Sequence, residues 1–418
     1  MNSDFRFQIG AADAMIRGAH ASRVLVLASR RNELSIACDS DRARNFQRPS
    51  QKVREGGMPS PACETRAFPG ILCRAFLVGA LVLAQLVSTR AADRVDEALV
   101  RASQYLLSQQ DAADGSISNK QRNETAMTSL SILALASLGH QAGDASPEGQ
   151  AIKRALTYVT GPGIQEKDGY LGMKDGSRMY GHGITTLMLA EMLGMGVDAQ
   201  MDELIRDRCR KALDLILRAQ KVPKNESGRG GWRYTPDTSE SDMSVTVWQT
   251  MALRAAKNAG LDVPKGAIED AVKYIKRCYE PDAGKDGNTK LGGFGYQGKG
   301  RELSTTAEGL LALQVCGDYD SEEVKSASDR LLKSGVTENE KWLFYLTYYY
   351  AQGMYQRGGK HAEAGRKVVA DVLLPMQNRD GSWEGKGGEE RGGGKVYATA
   401  MAVLSLAVKN HYLPIYQR

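Results

Sequence analysis

The chain has 418 residues, 42% of them hydrophobic and 25% charged, and a formal net charge of +6. All of that excess lies before Asp93, so the remainder is formally neutral, and with no basic stretch interleaved with aromatics nothing in it calls for nucleic acid or an anionic membrane surface. Three of the six cysteines follow Ala92 (Cys209, Cys278 and Cys316), odd in number and without a Cys-x-x-Cys, which argues against a disulfide framework and predicts buried free thiols.

Residues 1–57 are arginine-rich and show no hydrophobic period, so they read as an extension outside the native protein, with translation expected to begin at Met58. Ala75 to Val87 is an apolar run of about 13 residues between Arg74 and Ser88-Thr89-Arg90-Ala91-Ala92. Its length and flanks match a secretory signal and are too short for a comfortable membrane span. Residues 58–92 are therefore expected to export the protein to the periplasm or the medium, with membrane contact only through an uncleaved signal. About 325 residues remain in 93–418, enough for one large domain.

That remainder repeats about every 50 residues: a helix, a glycine-rich turn with an aromatic, then a second, more apolar helix. Tyr105 to Gln110 leads through Asp114-Gly115-Ser116 into Thr125 to Leu138. Ile152 to Val159 leads through Gly169-Tyr170-Leu171-Gly172 into His182 to Leu193. Leu213 to Gln220, Gly230-Gly231-Trp232-Arg233-Tyr234 and Ser244 to Ala256 form the third unit. Ile268 to Cys278, Gly292-Gly293-Phe294-Gly295-Tyr296 and Ser304 to Val315 form the fourth. In the fifth, Glu322 to Leu332 precedes Trp342 to Tyr355 with little of the glycine turn left. The sixth runs Val368 to Met376, Gln377 to Trp383, then Tyr397 to Val408. One such pair cannot bury its own apolar faces, so the units must stack, and six of them predict a closed ring.

Gln377, Gly381 and Trp383 resemble the Gln-Trp motif of squalene and oxidosqualene cyclases, and the whole of 93–418 resembles the terpenoid cyclase and protein prenyltransferase superfamily. Met179-Tyr180-Gly181-His182-Gly183 and Asp242 through Gln249 resemble a secreted bacterial branch of it. The resemblance implies an all-α fold, a single (α/α)6 toroid with an inner ring of helices around a cavity, an outer ring behind, and a functional mouth where the inner helices begin. For that branch it names no reaction. The Asp-x-Asp-Asp acid of class II cyclases is missing; the aligned stretch Ser239 to Thr246 keeps Asp242, expected to be a poor acid because a helix N-terminus favours its anion. The Asp, Cys and His zinc set of the prenyltransferases, the lanthionine-cyclase ligands and the Gly-Cys-Gly-Glu-Gln thioester are also missing. Neither metal nor cofactor is expected.

With every second helix starting at the mouth, Glu124, Thr125, Tyr180, His182, Asp242, Thr246, Ser304, Thr305, Tyr397 and Thr399 gather around one opening. Asp242, His182 and Tyr180 are the candidate catalytic groups. Glu124, Thr246, Trp248, Ser304, Trp342, Tyr345 and Tyr397 are the candidate ligand contacts, with Tyr348 and Tyr349 extending an aromatic wall. Each has a plainer reading beside it. Hydroxyls and carboxylates at helix starts are N-caps worth about 1 kcal/mol, and His182 between two glycines either faces the cavity or closes its helix start. Trp232, Trp383, Tyr170 and Phe294 are expected to stack on neighbouring units. Asp242 paired with Glu124, Glu308 or Glu191, or Arg178 or Arg233 acting alone, would suit a polysaccharide-cleaving enzyme. The glycine-rich stretch Gly385 to Lys395 lacks a phosphate-loop ending and reads as a flexible loop over the mouth. The function expected is an exported toroid without recognisable cyclase or zinc chemistry that binds a protein partner or an apolar ligand, such as an isoprenoid, at its mouth. The alternative is an enzyme acting on an isoprenoid or a polysaccharide.

Overall fold

The structure is a computed structural model that describes residues 94–119, 122–196, 198–282 and 291–417. The expected N-terminal extension and export signal lie outside the described residues. Two kinds of helix alternate along the chain. The outer ones, α1 (94–108), α3 (Pro147–Thr160), α5 (Ala199–Gln220), α7 (Lys265–Arg277), α9 (Glu322–Ser334) and α11 (Gly359–Leu373), are amphipathic. In α5 the buried residues Ile205, Cys209, Ala212, Leu213, Ile216 and Ala219 recur three or four apart while charged residues fill the other face. The inner ones are α2 (Glu124–Ser137), α4 (Arg178–Met192), α6 (Met243–Asn258), α8 (Leu303–Val315), α10 (Leu343–Arg357) and α13 (Gly394–Leu406), and they are apolar all round. In α2 every residue from Thr125 to Ser137 is buried, as a helix surrounded by others must be.

The inner helices pack in the order α2, α4, α6, α8, α10, α13, and α13 packs back on α2. The ring is closed. Its units are riveted by a repeated device. Gln110, Gln165, Gln220 and Gln377 each donate from one amide nitrogen to the carbonyl of their own turn glycine (Gly115, Gly169, Gly230, Gly381) and to a carbonyl of the next outer helix. For Gln377 that carbonyl is Ala98 of α1, at 2.8 Å, so the same bond that joins neighbours also joins last to first. Gly381 adopts φ +86°, and a side chain on it would overlap the Arg101 carbonyl; both the turn and the close approach require glycine. The turn aromatics pack as structural anchors: Trp232 and Trp383 donate their indole N–H to Ile216 and Leu373 carbonyls at 2.8 and 2.7 Å.

A two-stranded hairpin, β1 (Tyr279–Glu280) with β2 (Gly293–Phe294), decorates the fourth unit. Two elements depart from the sequence reading. The loop after Trp383 contains a five-residue helix, α12 (Gly388–Gly392). Beyond α13 the chain forms two 3-10 turns, Ala407–Asn410 and Pro414–Tyr416, whose buried Ile415 and Tyr416 close the end of the ring where the inner helices finish. Trp342, read as helical, is the N-cap of α10.

Candidate functional site

The mouth takes its shape from a rule that spans units: the loop before one inner helix satisfies the start of the previous one. Orphan N–H groups open every helix. Met179 at the start of α4 donates to the Tyr234 carbonyl at 3.1 Å, and Met243 at the start of α6 donates to the Tyr296 carbonyl at 2.7 Å. Ala126 of α2 donates to the Asp175 carboxylate at 3.2 Å, and α10 starts on the Glu390 carboxylate. Tyr234 and Tyr296 are thereby drawn to the same place, their hydroxyls 2.5 Å apart, with Tyr180 stacked on Tyr234 at 6.1 Å.

Asp242 lies among these rings, fully buried. It caps its own helix, accepting from the Val245 N–H at 2.9 Å through Oδ1, while Oδ2 faces Arg233 Nε at 3.6 Å and the carboxyl is approached by the Tyr296 hydroxyl. Arg233 is shared with Glu240 on the solvent side. Burial lifts the Asp242 carboxyl to about 7, against the pull of the Val245 N–H, Arg233 and the Tyr296 hydroxyl. The expectation that the helix N-terminus keeps this carboxyl ionised is corrected: desolvation outweighs it, and Asp242 holds its proton far more readily than an exposed carboxyl, which leaves it a weak acid.

Further into the ring, Ser244 donates to Glu308 Oε1 at 3.2 Å. Glu308 on α8 is 1% exposed, and burial pushes its carboxyl well above the usual carboxylate range, favouring the protonated form. Trp248 stacks on Tyr348 at 5.7 Å, Tyr349 meets Trp248 edge-on at 5.7 Å, and Tyr345 meets Tyr349 at 4.9 Å. Glu308 Oε2, Trp248 Nε1, Tyr345 OH and Tyr349 OH, from three adjacent inner helices, are all buried without a well-formed hydrogen bond, the Tyr345 hydroxyl making only loose polar contacts with Tyr349, Ser244 and Trp248. Each such group costs about 1–3 kcal/mol, so a cluster of four marks a place where packing has not been optimised for the ring alone.

Of the other sequence candidates, His182 is turned away from any ligand. Its Nδ1 accepts from the Leu171 N–H at 3.2 Å, its Nε2 lies 3.1 Å from the Ala212 carbonyl, and burial lowers its pKa to about 4. It is a neutral ring pinned by two backbone groups, which corrects its candidacy as a catalytic residue. Thr246 is committed the same way, its hydroxyl accepting from the Trp232 N–H at 3.0 Å. Tyr397 is buried in α13, and Ser304 is half-buried at the start of α8. Glu124 accepts from Ser118 at 3.1 Å and Tyr158 at 3.1 Å and lines a separate cavity of about 410 Å³ with Arg122, Lys174 and Asp175. Trp342 lies beneath the Lys341 ammonium at 5.3 Å. Tyr180, Asp242, Trp248 and Tyr345 are brought together; His182, Thr246, Glu124 and Tyr397 are not part of that group.

Tyr234 and Tyr296 were missed as site residues although a signal was present. Each stands two residues after the turn aromatic of its unit, Trp232 or Phe294, so superposing the repeats places both at the mouth. No group of three or more His, Cys, Asp and Glu side chains is arranged to hold a metal among the described residues, nor is any described helix long and apolar enough to cross a membrane.

No protein-family model and no curated protein sequence matches the chain. Solved structures do. An inactive variant of the alpha-1,6-mannanase GH76A of Salegentibacter sp. HEL1_6, in complex with alpha-1,6-mannotriose, is 9% identical over 76% of this chain and 99% of its own, with a TM-score of 0.51. A second inactive variant, with alpha-1,6-mannotetrose, is 11% identical over the same shares with a TM-score of 0.52. The type II terpene cyclase MstE from Scytonema is 14% identical over 75% of this chain and 98% of its own, at 0.49. Identities this low speak for architecture alone: the protein is an all-α toroid of six helix pairs.

Proposed function

We propose that the protein is an exported toroid that holds a ligand with an apolar body and a neutral, oxygen-bearing end, admitted at the mouth beside Tyr180, Tyr234 and Tyr296. The carrying observation is the cluster of buried polar atoms short of well-formed hydrogen bonds on Glu308, Trp248, Tyr345 and Tyr349. The two phenols and the indole are hydrogen-bond donors, burial biases Glu308 toward its donor form, and the walls are aromatic. Such a lining rewards a hydroxyl or carbonyl oxygen on a carbon skeleton and penalises a charged end, which would be buried without a counter-ion. An isoprenoid alcohol has this form.

The test is mass spectrometry of what the purified protein releases, followed by titration of indole fluorescence with a polyprenol and with alpha-1,6-manno-oligosaccharides. Saturable quenching by the polyprenol that is weakened in Glu308→Leu supports the reading. A chain that binds neither, or that travels with a protein and no small molecule, removes it. Export is tested separately, by cell fractionation and by the N-terminal sequence of the mature chain.

A second reading has its own observation. The buried, proton-holding Asp242 at the mouth and Glu308, raised by burial and by the Asp242 charge and held by Ser244, are a pair of acids that an enzyme acting on an isoprenoid or a polysaccharide would use. Turnover of a polyprenyl substrate or a manno-oligosaccharide that disappears in Asp242→Asn would establish it; turnover unaltered in that variant would take Asp242 out of it.

A further inference from the structure

The stretch from Glu384 to Gly393 crosses from the start of α10 to the loop of the first unit. On the far side Asn119 fastens it, donating to the Gly393 carbonyl at 2.8 Å and accepting from the Val396 N–H at 2.9 Å. On the near side it is fastened by one side chain. Glu390 is 2% exposed, and its carboxylate accepts from the N–H groups of Leu343 at 3.0 Å, Phe344 at 2.8 Å and Tyr345 at 3.3 Å. Trp342, the N-cap of α10, supplies no side-chain cap of its own, so Glu390 does that work from another unit. Around it Lys386, Gly387, Gly388, Arg391 and Gly392 are exposed; the stretch otherwise carries its own backbone bonds, Arg391 N–H to Gly387 and Gly393 N–H to Glu390, and surface ion pairs of Lys386 with Glu338 and Arg391 with Glu384. Surface pairs of this kind contribute little.

We propose that residues 384–393 are a hinged flap at the ring's mouth, latched shut by Glu390 on the first turn of α10, and that Glu390 is a positioning residue for Tyr345. The glycines at 385, 387, 388, 392, 393 and 394 supply the hinges. Tyr345 is both a latch donor through its N–H and a wall of the aromatic cluster through its ring, so releasing Glu390 loosens the start of the helix that presents that ring.

The latch also responds to pH. Burial raises the Glu390 carboxyl from 4.5 to about 7, against the three N–H groups of Phe344, Tyr345 and Leu343. On the α10 side the Tyr345 phenol is neutral, burial raising its pKa; on the flap and its neighbours Lys386 and Arg391 point into their own ion pairs, and Lys341 lies over Trp342. From the first unit Asn119 brings no charge. In the open flap Glu390 is solvated and returns toward its ordinary value, so closing takes up a proton. The closed form is favoured below pH 4.5 and loses ground as pH rises to about 7, with the open fraction growing about ten-fold between pH 6 and pH 8.

Hydrogen exchange resolved by peptide, corrected for the intrinsic rate at each pH, reads this in the free protein and therefore independently of any ligand. In the natural chain, exchange in 343–345 and 386–393 should rise about ten-fold from pH 6 to pH 8, while the core of α6 stays protected. Glu390→Gln keeps an acceptor for the N–H groups without the titration and should flatten that rise; Glu390→Ala should exchange fast in both segments at every pH. The same pH slope in Glu390→Gln as in the natural chain, or unchanged protection of the flap in Glu390→Ala, overturns the latch. Loss of protection in α6 would show a general failure to fold, in which case the Glu390→Gln comparison alone decides.

Discussion

The two ends of the ring are built from the same six helices yet treat their polar groups differently. Where the inner helices finish, the segment 407–417 lies across them and most bonds close: Asn410 donates to the Ser137 carbonyl at 3.3 Å, the Ile415 N–H donates to Glu191 at 3.3 Å, Gln356 donates to the Tyr416 carbonyl, and the hydroxyls of Tyr348 and Tyr416 pair, leaving nitrogens of His411 and Arg357 buried without a partner. Where the helices begin, the groups left short of well-formed bonds include two carboxyls, Asp242 and Glu308, beside the loosely paired polar ends of Trp248, Tyr345 and Tyr349. A structure selected only for stability would not leave two carboxyls buried this way at one end. The proposed site lies at that end, and the other end serves as a floor.

The largest expected effect comes from removing the floor. Tyr416 is fully buried with its hydroxyl on Tyr348, so Tyr416→Ala should destabilise the protein by about 3–5 kcal/mol through cavity formation and a lost partner. Urea unfolding measures it. A loss under about 1 kcal/mol would mean that the tail rests on the ring without closing it.

The mouth should instead show its strain through pH. Asp242 titrates near 7 in the fold and near 3.8 when unfolded, so the folded state holds the proton more tightly. Its contribution to stability is complete below pH 3.8 and is lost as pH climbs through about 7, on the order of 3–4 kcal/mol over that window. Asp242→Asn should remove that part of the fall between pH 5 and pH 8, measured as the midpoint of urea unfolding across the range. An unchanged pH profile in the variant would show that the carboxyl is ionised and paired in the folded protein.

His182 separates a support from a reactive group. With both ring nitrogens held by backbone atoms, His182→Ala should cost about 2–3 kcal/mol and leave ligand binding per folded molecule intact. In four other units a threonine stands where His182 does: Thr128, Thr246, Thr306 and Thr399 each accept from the N–H of the turn residue before them. His182→Thr should therefore recover part of the loss. Binding that falls while stability is kept would return His182 to the site.

That comparison also shows what was legible in the sequence. The six helix pairs were, because a 3.6-residue apolar period and a glycine with an aromatic every 50 residues or so are local signals. Gln377, Gly381 and Trp383 marked the rivet that closes the ring. The threonine register was equally present, and would have shown His182 to be structural. Tyr234 and Tyr296 could have been placed at the mouth by their common offset from the turn aromatic, whereas Glu390 on α10 and Asp175 on α2 were not legible, because each joins residues from different units along a loop path that no periodicity encodes. The proton affinity of Asp242 was misjudged for a related reason: its helix position is written in the sequence, but its burial is a property of the assembled ring.

The smallest effect gives the sharpest contrast, because it uses neighbouring residues of one helix. Tyr348 and Tyr349 are both buried on α10 and both pack on Trp248, but the Tyr348 hydroxyl pairs closely with Tyr416 whereas the Tyr349 hydroxyl has only a loose contact with Tyr345. Removing one oxygen leaves the ring in place and tests only that difference. Tyr348→Phe strands the Tyr416 hydroxyl and should destabilise by about 1 kcal/mol; Tyr349→Phe relieves an unsatisfied group and should stabilise by a similar amount. Opposite signs in urea unfolding, with Tyr349→Phe binding a polyprenol more weakly, would show stability being withheld at the mouth for a ligand's benefit. Two losses of equal size would mean that Tyr349 has a partner in the folded protein, and the unpaired cluster would shrink by one.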